Sequence, residues 1–255
     1  MMKFLKMKSF LFPVVISLSL KYYRKQKLTM KKLFLPLLLV GAVTQAKAQF
    51  SFDAQLKYAS SATALFNKNI SDLGASQDYD FAFSSNYGAA LNVNFGKIGL
   101  GVEALAGNFK GAYQGDVGTN PGQGLYTSQV ELKTLQIPVY LRVGGSKGSF
   151  GEFGVVMNNV NSAAWTFANP WVDPASTFDV TNNYQSFIAY MVGVGGRIAL
   201  PKIPVMLSIS ARFMYSTADA KGVDALGADL NNYPTYYKTN AASVGLHAGL
   251  VYSFE

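Results

Sequence analysis

Thr134-Leu135-Gln136-Ile137-Pro138-Val139-Tyr140-Leu141-Arg142-Val143 puts an aliphatic side chain at every second position, with threonine, glutamine, proline, tyrosine and arginine between them. Side chains alternate faces along a β-strand, so this decapeptide predicts a strand with one apolar and one polar face. The same period of two recurs in segments 50–59, 87–95, 98–107, 152–157, 188–198, 205–215 and 243–254. That makes eight predicted strands, and no comparable helical period competes with them.

The connections decide what the strands build. The intervals are 60–85, 96–97, 108–132, 144–149, 158–185, 201–204 and 216–240, alternately long and short. A soluble sandwich has no reason to sort its loops this way. An antiparallel up-and-down transmembrane β-barrel does, with short turns at one rim and long loops at the other. The even strand number and strands of about ten residues agree with that reading. One face of each strand is almost wholly Leu, Val, Ile, Ala, Phe or Tyr, with Phe50, Phe95, Tyr215, Tyr252 and Phe254 near segment ends. Such a face suits lipid, and such aromatics suit the two membrane interfaces.

The opposite face carries Asp53, Lys57, Glu103, Arg142, Glu152, Arg197, Arg212 and His247, all of which the alternation turns inward. An eight-stranded barrel has room inside only for side chains. These residues are therefore expected to pair into a plug, with inward glycines such as Gly101 and Gly193 making room, and no open pore is expected. Pro138 lacks a ladder donor and is expected at a β-bulge.

Charge and composition limit the other functions. The whole chain has 22 Lys+Arg, 14 Asp+Glu, one His and no Cys. Ten of the basic residues and none of the acidic ones lie in residues 1–48, so residues 49–255 carry 12 against 14, a net charge of −2. The basic excess thus belongs to the leader, and nucleic acid is not expected as a partner. Met30-Lys31-Lys32, the apolar run 33–43 and Ala46-Lys47-Ala48 have the form of a secretory signal peptide spanning 30–48. Residues 1–29 are expected to be an upstream extension, and 49–255 the barrel domain. Without cysteine there are no thiolate metal sites or Cys nucleophile, and no cofactor or metal is expected. Asp78 and Asp80 are read as solvated loop carboxylates, and Gly144-Gly145-Ser146-Lys147-Gly148 lacks phosphate-loop spacing. A lipid A-modifying barrel enzyme or rim protease would need the single His beside a carboxylate or serine at the outer rim. His247 falls in mid-strand, which argues against an enzyme.

The segment 134–142, with Val192-Gly193-Val194-Gly195-Gly196 and the stretch from Arg212 to Tyr215, resembles the PorT-like outer-membrane β-barrel proteins of Bacteroidetes. Gln136 stands where that family often has Glu, and Glu255 follows Phe254 where such barrels often end on the aromatic. The resemblance implies an integral protein of a Gram-negative outer membrane, surrounded by its lipid. It also implies insertion by the outer-membrane assembly machinery, with Leu250, Tyr252 and Phe254 as the signal. A structural or accessory role, linked to secretion or envelope assembly, is the favoured expectation. The alternative is an adhesin or receptor that binds a protein or glycan ligand through its long loops. Trp165, Phe167 and Trp171 of the third and Tyr233, Tyr236 and Tyr237 of the fourth are the candidate recognition residues.

Overall fold

The computed structural model describes residues 50–254 apart from 72–76, 117–123, 145–147, 170–171 and 222–236. Segments 1–29 and 30–48, the expected upstream extension and signal peptide, lie outside the described residues. The strands are β1 (Phe50–Phe66), β2 (Asp78–Asp80), β3 (Ala82–Phe95), β4 (Ile98–Asp116), β5 (Leu125–Gly144), β6 (Gly148–Asn169), β7 (Val172–Asp179), β8 (Phe187–Ala199), β9 (Met206–Ser216) and β10 (Asn240–Phe254). A single helical turn, α1 (Lys68–Ser71), follows β1.

Eight of these strands close a ring in the order β1–β3–β4–β5–β6–β8–β9–β10 and back to β1, every pair antiparallel. Closure leaves the ring without an edge, which is what a sheet in hydrocarbon requires. All three short turns lie at one rim, here called the lower. Gly96, with φ 64°, supplies the tightest of them, a left-handed conformation that glycine adopts without the steric cost a Cβ adds. Gly144 N–H donates to the Lys97 carbonyl at 2.8 Å, tying two neighbouring turns together.

The eight predicted strands are all present, and all but β9 are longer than predicted. The ring strands run from 11 residues in β9 to 22 in β6. Most of what the sequence marks as long loops is strand that continues above the membrane. Residues 60–66, 108–116, 125–133 and 158–169 extend β1, β4, β5 and β6. β2 pairs with the raised part of β4, and β7 folds back on β6 as a hairpin, Trp165 opposite Phe178. The wall is uneven, since β8 and β9 carry no such extension.

The lower part of the outer surface is an apolar belt. Leu56, Leu91, Leu100, Val102, Val139, Phe153, Val192, Ile209, Phe213 and Leu246 are among its exposed residues. Phe50 packs edge-on against Phe95 at 5.6 Å and Phe52 against Phe254 at 5.8 Å near the lower rim. Higher up, Tyr58 pairs across the ladder with Tyr87, and Tyr190 with Tyr215. A tilted strand climbs roughly 2.5 Å per residue, so about ten residues span the roughly 25 Å apolar band of an outer-membrane barrel. On β4 and β5 the outward face turns polar at that height, at Asn108 and Lys133.

Pro138 does not sit at a bulge. It stays in register opposite Val156, and on its other side the β4–β5 ladder is interrupted between Val102–Val139 and Leu105–Gln136 without changing register. The missing N–H is absorbed as a gap in the ladder. The irregularity on β5 lies higher, where Lys133 faces Ser162 but Thr134 faces Val160. Asn161 is the extra residue, and it shifts the parity of β6 so that Ala163, Trp165 and Phe167 take the inner face.

Candidate functional site

All eight charged or titratable residues expected in the lumen lie on the inner wall. Arg212 on β9 is the hub: its guanidinium donates to Glu103 of β4 at 2.7 and 2.8 Å and to Glu152 of β6 at 2.7 and 2.8 Å. Lys57 of β1 meets Glu103 from the other side at 2.5 Å, and Arg142 of β5 meets Glu152 at 2.7 Å. Nearer the lower rim Arg197 of β8 donates to Asp53 of β1 at 2.8 Å. Asp53 also accepts from Asn94 at 2.8 Å and from Ser253 at 2.6 Å. Six of the eight ring strands thus contribute to the charge pairs, and all but the Arg142–Glu152 ladder pair join strands that are not neighbours in the ring. Every one of these ionic side chains is almost fully buried. Burial of ions is tolerated because each carboxylate faces at least one cation at hydrogen-bond distance.

Glycine makes the crossings possible. A Cβ on Gly193 would come within 2.9 Å of the Arg212 stem, and one on Gly101 within 2.3 Å of the Tyr140 ring. Two aromatic residues of the plug were not singled out in the sequence. Tyr140 donates to Asn92 at 2.8 Å and lies 5.1 Å under the Arg212 guanidinium. Phe150 lies 4.3 Å from Arg142 and is buried. Tyr140 stood in the inward set of its strand and was legible there. Phe150 was hidden by its place beside the β5–β6 turn.

His247 takes no part in the ion pairs. It sits in mid-strand on β10, opposite Ala59 and Ser210. With Arg212, Asn86, Phe109 and Met214 it lines a cavity of about 30 Å³, room on the order of one or two waters. Among the described residues no group of three or more His, Cys, Asp or Glu side chains could hold a metal. Asp78 and Asp80 each accept from the next residue's N–H at 2.7 Å.

Above the ionic layer the interior changes character. Leu65, Phe109, Tyr113, Val130, Leu132, Val156, Phe187 and Met214 form an apolar core that continues to the top of the barrel. The recognition residues expected on loops are distributed differently. Trp165 and Phe167 lie on β6 rather than on a loop, and their rings join that core. Trp165 donates to the Ser128 hydroxyl at 2.6 Å and stacks on Phe178 at 5.0 Å, while Phe167 packs against Tyr126 at 5.6 Å. Tyr237 belongs to another place, under the Lys68 ammonium at 4.8 Å. Trp171, Tyr233 and Tyr236 lie outside the described residues. Leu250, Tyr252 and Phe254 are exposed on the outer face of β10, where Tyr252 and Phe254 touch edge-on at 4.7 Å.

No family model matches the chain, and no curated protein matches it. Solved structures do. The attachment invasion locus protein Ail of Yersinia pestis, solved with the heparin analogue sucrose octasulfate, is 10% identical, with 80% of this chain and 99% of that chain covered at a TM-score of 0.37. Neisserial surface protein A is 12% identical over 80% and 97% at 0.36. The outer-membrane protease OmpT of Escherichia coli is 12% identical over 80% and 96% at 0.29. At these identities the likeness is one of fold.

Proposed function

We propose that this chain is a sealed outer-membrane barrel with a structural or accessory role, neither a channel nor an enzyme, whose working surface is the raised sheet β4–β7. The observation that carries this is the Lys57–Glu103–Arg212–Glu152–Arg142 chain, which crosses the bore and leaves a cavity of only about 30 Å³ beside it. A conducting lumen needs a continuous aqueous path, and paired side chains occupy the cross-section. The sole imidazole faces the plug, away from the outer rim where substrates would arrive, which supports a non-enzymatic reading. Planar-bilayer recording of the purified barrel tests the seal. Only leak-level current is expected, and a stable porin-sized step would overturn it.

We read the alternation in 134–142 and the glycine-rich β8 as those of a PorT-like barrel, exported by a signal at 30–48 and delivered by a C-terminal assembly signal. Mass spectrometry of the mature chain is expected to find Gln49 at its N-terminus. Deletion of residues 252–255 is expected to remove the protein from the outer-membrane fraction.

A second reading, a surface receptor for a protein or glycan, is favoured by one observation. The β6–β7 hairpin rises above the belt with Trp165, Phe167 and Phe178 on one face, and Phe178 is half exposed. Replacing the hairpin by a short turn and measuring ligand or phage adsorption to cells distinguishes the two readings.

A further inference from the structure

The outward face of the barrel does not turn polar at the same height all round. On β4 and β5 it becomes Asn108, Lys110 and Gln114 beside Gln129, Glu131 and Lys133, with Lys110 paired to Glu131 at 3.4 Å. On β1 and β3 one small polar pair interrupts an otherwise apolar face. Above the small Ser60–Ser85 pair come Ala62 and Ala64, then Phe66, with Phe83 opposite Ala62. Phe83 and Phe81 are 69% and 80% exposed, a large apolar cost for a face bathed in water.

This stripe ends in a cleft of about 510 Å³ lined by Phe66, Lys68, Tyr79, Tyr237, Lys238 and Asn240, with Asn67 at its floor. The cleft is built from fixed parts. Asn67 is buried and bonds the Tyr237 carbonyl at 2.8 Å, the Thr239 hydroxyl at 3.1 Å and, through its own backbone, the Tyr79 hydroxyl at 2.6 and 2.8 Å. Lys68 is held over the Tyr237 ring. Two ammonium groups therefore border a cleft whose wall is aromatic.

Height identifies what reaches it. At roughly 2.5 Å per residue, the climb from Phe50 to Lys68 is roughly 45 Å, the thickness of a bilayer including its headgroups and well beyond its hydrocarbon. From Ser60 to Lys68 the stripe occupies roughly 20 Å, whereas a phospholipid headgroup layer adds only about 5–8 Å on each side. An occupant continuous with the lipid belt, faced by exposed aromatic rings and ending at two lysines, is matched by a saccharide that bears an anion. We propose that the β1–β3 face and the cleft above it bind a phosphorylated glycolipid of the outer leaflet. Its acyl chains lie on the belt, its sugars on Phe81, Phe83 and Phe66, and its phosphate beside Lys68 and Lys238.

The proposal rests on the outer-membrane placement, but its test does not. Refolded barrel in detergent is mixed with bisphosphorylated lipid A, with dephosphorylated lipid A or with phosphatidylglycerol, and bound lipid is counted by native mass spectrometry. The wild type is expected to prefer the bisphosphorylated form by about tenfold. Lys68→Gln with Lys238→Gln should reduce that preference to about twofold or less, while Phe81→Ser with Phe83→Ser should weaken both glycolipids alike. Heat-modifiable gel mobility confirms that each variant is folded. Equal retention of the two lipid A forms, equal retention of phosphatidylglycerol, displacement by millimolar inorganic phosphate, or a dimer lost in the Phe81/Phe83 variant would each overturn the proposal. Fractionation of cells tests the placement separately.

Discussion

Below Lys133 the inner face of β5 carries Thr134, Gln136, Tyr140 and Arg142, and the outer face Leu135, Ile137, Val139, Leu141 and Val143. Above it the inner face carries Tyr126, Val130 and Leu132, and the outer face Thr127, Gln129, Glu131 and Lys133. The side chains keep the same parity through Lys133, since β4 and β5 hold one register from Val143 to Leu125. What reverses is the polarity of each face. In lipid the apolar side chains gain nothing by facing inward, and the polar ones must pair with one another inside. In water the ordinary rule returns and the apolar residues fill the bore. One barrel wall thus seals its lower half with ions and its upper half with a hydrophobic core.

The largest expected effect comes from breaking the lower half. Arg212→Ala leaves Glu103 and Glu152 short of a buried partner, and unfolding in denaturant should show a loss of about 3–5 kcal/mol. Replacing Lys57, Glu103 and Arg212 together by Met, Leu and Met tests whether the ions stabilise the barrel or only tolerate one another. Stability within about 2 kcal/mol of the wild type is expected, because a well-packed apolar set removes the desolvation cost along with the attraction. A loss as large as that of the single variant would mean that the lower half cannot be sealed by the chemistry of the upper.

Phe109→Ala probes the upper half. Phe109 is buried against Leu132, its ladder neighbour, and against Phe187 at 5.9 Å. Truncation should cost about 3–4 kcal/mol through the cavity it leaves. Unlike Arg212→Ala, it leaves no charge unpaired, so the cost should be insensitive to pH.

The outward faces give a smaller effect, and a sharper comparison. Val139→Lys puts a charge on the lipid side of the belt and should cost about 2–4 kcal/mol, whereas Lys133→Leu, six residues higher, should change stability by less than about 0.5 kcal/mol. Folding into vesicles of defined thickness measures both. Comparable costs at the two positions would place the water boundary elsewhere.

This inversion also explains what the sequence disclosed. The belt segments were legible because apolar residues on one face and charges on the other make a strong period of two. Asp53, Lys57, Glu103, Arg142, Glu152, Arg197, Arg212 and His247 fall on the inward parity of that same period. The raised strands were missed because the alternation continues with its polarity reversed, so that 125–133 breaks the pattern of 134–143. On β6 the extra residue Asn161 shifts the parity as well, and Trp165 and Phe167 then read as loop aromatics. The partners that meet across the bore were not legible, unlike the Arg142–Glu152 pair beside a short turn. That Arg212 meets both Glu103 and Glu152 depends on how strands far apart in the sequence are staggered round the ring, and alternation within one strand does not carry that information.

The most local expected effect separates the ring from what stands on it. Trp165→Phe keeps an aromatic ring against Phe178 but removes the indole N–H bond to Ser128 and part of the ring's packing, together worth about 1–2 kcal/mol. Trp165 lies beyond the bulge, and β7 is hydrogen-bonded, among the described strands, to β6 alone. Loss of the bond should therefore loosen the β6–β7 hairpin without reaching the closed ring beneath it. Hydrogen exchange is expected to quicken at the β7 amides and to stay unchanged across the β1–β10 seam. Were the seam to exchange faster too, hairpin and barrel would form one cooperative unit, and the raised sheet would be part of the seal rather than an appendage free to serve a partner.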